Sequence, residues 1–225
     1  MRATICLLVC TFAVIYASSV RPVMEGLTFH HRQVDGPVHP IVKDWIDSRR
    51  VESQSRLNQR QDVDINQVIN IAKQVWNIIQ KGETVLNTTF DYATAVPKGI
   101  KEWTELEHWT EPVTGAYSVW VENLFKHKIV EINYTVVATP NGQYQGKGQY
   151  LTNIGIIPTY VHSMWGLILT ASTNTHGLVN VGSHESPIAA IQVDLNWIVD
   201  WRIKKFTKTE AYYVRGDGKP ITTLN

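Results

Sequence analysis

The chain has 225 residues, with 21 Lys and Arg against 20 Asp and Glu, eight histidines and two cysteines. A balance this close to neutral excludes the clustered basic surface that nucleic acid requires. It also leaves little electrostatic pull toward anionic lipid.

Residues 1–19 read as a secretory signal peptide. Arg2 gives a short positive start, Ile5 to Tyr16 is almost wholly apolar, and small residues follow at Ala17, Ser18 and Ser19. Cleavage after Ser19, or after Ala17, removes Arg2 and no acid, so basic and acidic residues then balance at 20 each. Both cysteines, Cys6 and Cys10, leave with the signal. The expected product is secreted and extracellular, with no disulfide and no thiolate chemistry; burial and hydrogen bonding must hold it together. At this length a domain buries roughly 70% of its unfolded surface, which suffices without staples. No second stretch reaches the roughly 18 apolar residues of a spanning helix.

Residues 20–61 are polar and broken by Pro22, Gly26, Gly36, Pro37 and Pro40. They read as flexible or weakly helical. Arg49-Arg50 is a dibasic pair in this segment. Its plain reading is a solvated charge cluster; the functional one is a processing site that releases a pro-segment.

The spacing predicts an amphipathic helix over 62–81. Ile65, Val68, Ala72, Val75 and Ile79 recur at steps of three and four, and Ile69, Trp76 and Ile78 widen the stripe. Asp64 with Gln67 fits a capping box, and Gly82 suits a C-terminal cap.

Beyond Glu83 the period becomes two. Strands are predicted at 117–121, 129–138, 154–157, 160–172, 178–181, 190–201 and 210–214, with a turn at Thr139-Pro-Asn-Gly142. In 190–201, Ile191, Val193, Leu195, Trp197, Val199 and Trp201 point inward. The expected fold is mainly β: one domain over 62–225, an antiparallel β-sandwich or barrel preceded by one amphipathic helix.

Two glycosylation sequons, Asn87-Thr-Thr and Asn133-Tyr-Thr, suit a secreted chain. Asn133 falls on the polar face of its strand. No pair of histidines has the spacing for one helix face, so no metal site is expected. His162, His176 and His184 could meet only through the sheet. No Gly-x-Ser-x-Gly occurs, and Ser183-His184-Glu185 are sequence neighbours whose side chains point apart, so no catalytic residues are assigned. Gly146-Lys-Gly148 lacks the ending of a phosphate loop and reads as a bulge or close strand approach; no cofactor is expected. Most tryptophans are expected to fill the core. Trp103 and Trp109, bracketed by charges, are the candidates for an exposed aromatic binding surface.

The function this favours is a secreted non-catalytic protein (matrix, coat or body-fluid component) that binds an extracellular glycan or protein, with no nucleic acid. A helix ahead of an aromatic-rich β-sandwich is similar, in architecture alone, to sea-anemone-type pore-forming toxins. That similarity gives the alternative: a membrane-active protein using the 62–81 helix, the only reading with membrane contact. A hydrolase with dispersed catalytic residues is the third.

Overall fold

The computed structural model describes residues 26–52, 63–70, 76–81, 84–88, 92–201 and 204–224. The segment expected to be a signal peptide, with Cys6 and Cys10, lies outside the described residues. Among the described residues the fold is mainly β, with two antiparallel sheets and a single α-helix.

The elements are β1 (Thr28–Val34), α1 (Pro40–Glu52), β2 (Asp64–Ile69), β3 (Trp76–Lys81), β4 (Thr84–Thr88), β5 (Ala93–Lys98), β6 (Val113–Glu122), β7 (Lys128–Tyr144), β8 (Lys147–Ser163), β9 (Ile168–Asn180), β10 (Ala189–Trp201), β11 (Lys204–Arg215) and β12 (Thr222–Thr223). One sheet runs β1-β6-β7-β8-β5-β2 and the other β12-β11-β10-β9-β3-β4.

The predicted helix over 62–81 is not formed among the described residues: 64–69 and 76–81 are strands. The segment is rich in β-branched Ile and Val and in asparagine, which lose to sheet pairing when a partner edge is present. Asp64 does not cap a helix; its Oδ1 accepts the Asn66 N–H at 3.0 Å. The Ile65 carbonyl accepts the Tyr150 hydroxyl at 2.6 Å. The membrane-active reading therefore lacks the insertion helix it named.

The helix lies in the segment expected to be flexible or weakly helical. Pro40 sits at its first position, where the missing N–H costs nothing. Val42, Trp45, Ile46 and Arg49 then fall on one face. That face covers Val137 and Ile157 on the outside of β7 and β8, and Val42 is fully buried there. In the same segment β1 pairs along all of its length with β6, from Thr28↔Glu122 to Val34↔Ala116.

β7 and β8 form a 17-residue by 17-residue hairpin. Its turn is Gln145-Gly146, with φ of 50° and 72°, the pair of positive values that a two-residue hairpin turn requires. The predicted turn at Thr139-Pro-Asn-Gly142 is a run of bulges inside β7. Asn141 takes φ 66° there, and its N–H is held by the Gly216 carbonyl at 2.9 Å. The predicted strand over 160–172 is two strands. A turn at 164–167 carries the chain from β8 in one sheet to β9 in the other.

The core between the sheets is aromatic, but through tyrosine. Trp197 is the only buried tryptophan among the described residues, whereas Tyr117, Tyr134, Tyr150 and Tyr212 are all fully buried. The Tyr134 and Tyr212 hydroxyls meet at 2.5 Å across the sheets, and His31 Nε2 lies 3.1 Å from the Tyr212 hydroxyl. The Tyr117 and Tyr212 rings approach to 4.5 Å. Burial pushes the phenols of Tyr117, Tyr134, Tyr150 and Tyr212 above their ordinary range; the neighbouring Tyr212 adds to this at Tyr134, and Asp64 at Tyr150.

Two outcomes follow from this packing. Val42→Asp buries a lone carboxylate under α1 and should cost at least about 3 kcal/mol in chemical denaturation. Stability should also fall as pH rises above about 10, because the unfolded chain ionises its tyrosines there while the folded chain keeps them neutral. The loss approaches about 1.4 kcal/mol per pH unit for each buried phenol. Denaturation between pH 8 and 11 measures it, and the Tyr134→Phe/Tyr212→Phe pair should flatten the slope.

Candidate aromatic binding cavity

Residues 103–112 form a clip across the far end of the β7–β8 hairpin. The clip begins with a single 3-10 turn, Trp103–Glu105, closed by Glu105. Its Oε1 accepts the N–H groups of Lys101 and Glu102, each at 2.9 Å. Glu107 and Gln143 exchange both backbone hydrogen bonds, at 2.9 and 2.8 Å, and Thr110 N–H reaches the Pro140 carbonyl at 3.2 Å. Asn141, freed by its bulge, donates to Thr110 Oγ1 at 3.0 Å and accepts from Gln149 at 3.0 Å. These bonds fix the clip to the sheet, and Leu106, buried in the core, anchors it from below.

The clip brings Trp103 and Trp109 edge to face, ring centroids 6.0 Å apart at 78°. Trp109 lies over Gly142, where a Cβ would come within 2.3 Å of the ring. Across from them stands α1, with Trp45, Ile46 and Arg49. The space between is a cavity of about 540 Å³, completed by Thr110, Glu111, Thr139 and Asn153. This size suits a small ligand or one or two rings of a larger one. Arg49 lies with its guanidinium 5.5 Å from the Trp45 ring centre and 4.3 Å from that of Tyr92.

The cavity wall carries unfavourable polarity. Trp45 Nε1, Trp109 Nε1 and Asn153 Oδ1 are buried and have no hydrogen-bond partner among the described residues. Asn153 also holds φ at 50° in the middle of β8. An orphaned buried donor or acceptor costs about 1–3 kcal/mol, and left-handed backbone adds strain.

Of the two tryptophans the sequence marks, both are half-buried walls of one cavity. Trp45, the third wall, is missed by a reading of 20–61 as flexible or weakly helical that places no apolar stripe; the spacing of Pro40, Val42, Trp45, Ile46 and Arg49 was the available signal. Arg49 is stacked on aromatic rings in α1, not in an open linker, and cleavage at Arg49-Arg50 would require the end of the helix to unwind. The side chain of Arg50 lies outside the described residues.

Asn133 stands on the outer face of central strand β7, in the row Arg32–Ser118–Asn133–Tyr160. It is half-buried at the floor of a trough of about 390 Å³ roofed by residues 35–39. Asn87 is on edge strand β4, opposite Ile79; its side chain lies outside the described residues. The histidines do not converge. His176 sits 3.4 Å from Asp194, His184 contacts Asn66 at 3.2 Å, and His162 lies across from Glu131 on the other sheet. No cluster of three His, Cys, Asp or Glu able to hold a metal occurs among the described residues. Ser183 is spent on a turn, its Oγ accepting the Ser186 N–H at 3.0 Å. Gly148 fits the close-approach reading, since a Cβ there would lie 2.3 Å from the Tyr150 ring.

Comparison of the chain with protein-family models, with curated proteins and with solved structures gives no match. The chemistry of the cavity is therefore the basis for function. Gly142→Ala should push Trp109 off the sheet, destabilise by about 1–3 kcal/mol through overpacking, and shift the tryptophan emission; emission spectra and melting curves check both.

Proposed function

We propose that the chain is a secreted, non-catalytic extracellular protein that binds a glycan in the Trp45–Trp103–Trp109 cavity. The observation that carries this reading is the convergence of three indoles, from a helix and two ends of a clip, on one cavity of about 540 Å³. Sugar rings present C–H faces that pack on aromatic rings and a rim of hydroxyls that both donate and accept. The indole walls suit the faces. Thr110, Thr139, Glu111 and Asn153 suit the rim. Aromatic anchors in a pocket with a few convergent polar groups supply most of the affinity in such sites. The composition supports the absence of nucleic acid as partner, and the sequons at Asn87 and Asn133 support passage through the secretory pathway.

A glycan-array screen followed by titration calorimetry tests the site. Trp45→Ala, Trp103→Ala and Trp109→Ala should each lower affinity for the selected glycan at least about tenfold, or about 1.4 kcal/mol. Affinity unchanged in all three removes the cavity as the binding site. Material from a eukaryotic secretion host should show a glycosidase shift on a gel that the Asn87→Gln/Asn133→Gln variant lacks.

A further inference from the structure

The three most exposed large hydrophobic residues of the described chain are Trp165 at 71%, Phe125 at 61% and Leu124 at 58%. They are not scattered. Leu124 and Phe125 top the loop from β6 to β7, and Trp165 tops the turn from β8 to β9. Val130 pairs with Ser163, and Met164 N–H bonds the Ile129 carbonyl at 2.8 Å, so both tips leave the same end of neighbouring strands. Ile168, also exposed, starts β9 at that end.

The display is built. Asn123, only 3% exposed, accepts the N–H groups of Phe125 and His127 through Oδ1, each at 3.0 Å. Its backbone exchanges bonds with His127 and Lys126, and Lys126 takes φ 60°. The loop is thus pinned in a shape that turns Leu124 and Phe125 outward. On the second tip, Gly166 takes φ 88° and Leu167 N–H closes on the Met164 carbonyl at 3.1 Å. Leu167 is buried while Trp165 is turned out.

Charge around the tips is arranged unequally. Lys126 and Lys128 reach 75% and 43% exposure, while their partners Glu122 and Glu131 sit back at 18% each. Lys204 and Lys205 are exposed at the start of β11, opposite Trp201 and Asp200. Solvent at this end therefore meets ammonium groups first and carboxylates behind them.

We propose that this end of the sandwich docks on a phospholipid bilayer, with Leu124, Phe125 and Trp165 entering the interface and the flanking lysines meeting lipid phosphates. Tryptophan favours the depth of the headgroups, lysines extend their ammonium groups to the phosphates beside buried apolar atoms, and exposed apolar clusters of this kind mark interaction surfaces. No inserted helix is needed. The docking end and the indole cavity lie at opposite ends of β7, so they are tested separately.

The test is flotation of the secreted protein with vesicles of phosphatidylcholine, and of phosphatidylcholine with phosphatidylglycerol. The expected result is flotation with the mixed vesicles, stronger than with phosphatidylcholine alone. Leu124→Ser/Phe125→Ser/Trp165→Ser should cut partitioning at least about tenfold on both. Lys126→Glu/Lys205→Glu should cut it about tenfold on the anionic vesicles with little change on the neutral ones. Melting temperature and near-ultraviolet circular dichroism of both variants, all at exposed positions, should match the parent and show that folding is intact. No flotation of the parent with either vesicle, or equal flotation of parent and the triple variant, overturns the proposal. A parent dimer in solution that the triple variant dissolves, with no flotation, overturns it in favour of self-docking.

Discussion

The two sheets are tied to each other by a buried hydroxyl pair. Tyr134 of β7 and Tyr212 of β11 come from different sheets and meet at 2.5 Å in the core. Around them the Tyr117 ring packs on Tyr212, and His31 of the edge strand reaches the same hydroxyl. A buried hydroxyl without a partner is costly, so sliding one sheet past the other would orphan both phenols at once. Apolar packing alone would not resist that slide as strongly, because it is non-directional. Both cysteines fall outside the described residues, and hydrogen-bonded tyrosine here fixes the relative position that a cross-link often fixes in small secreted domains.

With the sheets in register, the β7–β8 hairpin becomes the ruler of the molecule. From Lys128 to Thr139, at about 3.3 Å per residue, β7 spans roughly 36 Å. The apolar tips stand at its beginning and the indole cavity at its far end. The hairpin also explains why α1 sits where it does. The outer face of β7 runs Glu131, Asn133, Thr135 and then Val137, and Val137 with Ile157 opposite the helix leaves an apolar spot that water would otherwise cover. α1 supplies Val42, Trp45 and Ile46 to it. The contact that buries Val137 therefore also brings Trp45 to the cavity.

Much of the β architecture is legible in residue order, because alternation is a direct consequence of side chains pointing to opposite faces. The strand over 190–201 is the plainest case: its inward set from Ile191 to Val199 is buried, and only the boundaries shift by a residue. The segment 62–81 fails for a physical reason. Ile, Val and Trp at spacings of three and four satisfy a helical stripe, yet the same residues also fit a strand, and periodicity alone cannot weigh distant partners, β5 at 27–34 positions from β2 and β9 at 87–97 from β3. Thr139-Pro-Asn-Gly142 carries the residues of a turn, but Asn141 spends its left-handed backbone on a bulge that holds the clip. Trp103 and Trp109 stand out by their charged neighbours. Trp45 is hidden by a polar context with one helical turn of apolar residues. That these three meet is tertiary information, carried by hydrogen bonds between residues such as Glu107 and Gln143.

The cavity also differs in kind from other places where the fold leaves polar atoms unpaired. Trp197 Nε1 and Thr173 Oγ1 are orphaned in the closed core, on residues 1% exposed. Trp45, Trp109 and Asn153 are orphaned around an opening, on half-buried rings and a strained asparagine. Under the proposed glycan reading, a ligand that supplies hydrogen bonds to these atoms is favoured over hydrocarbon of equal size, while the indole faces attract both.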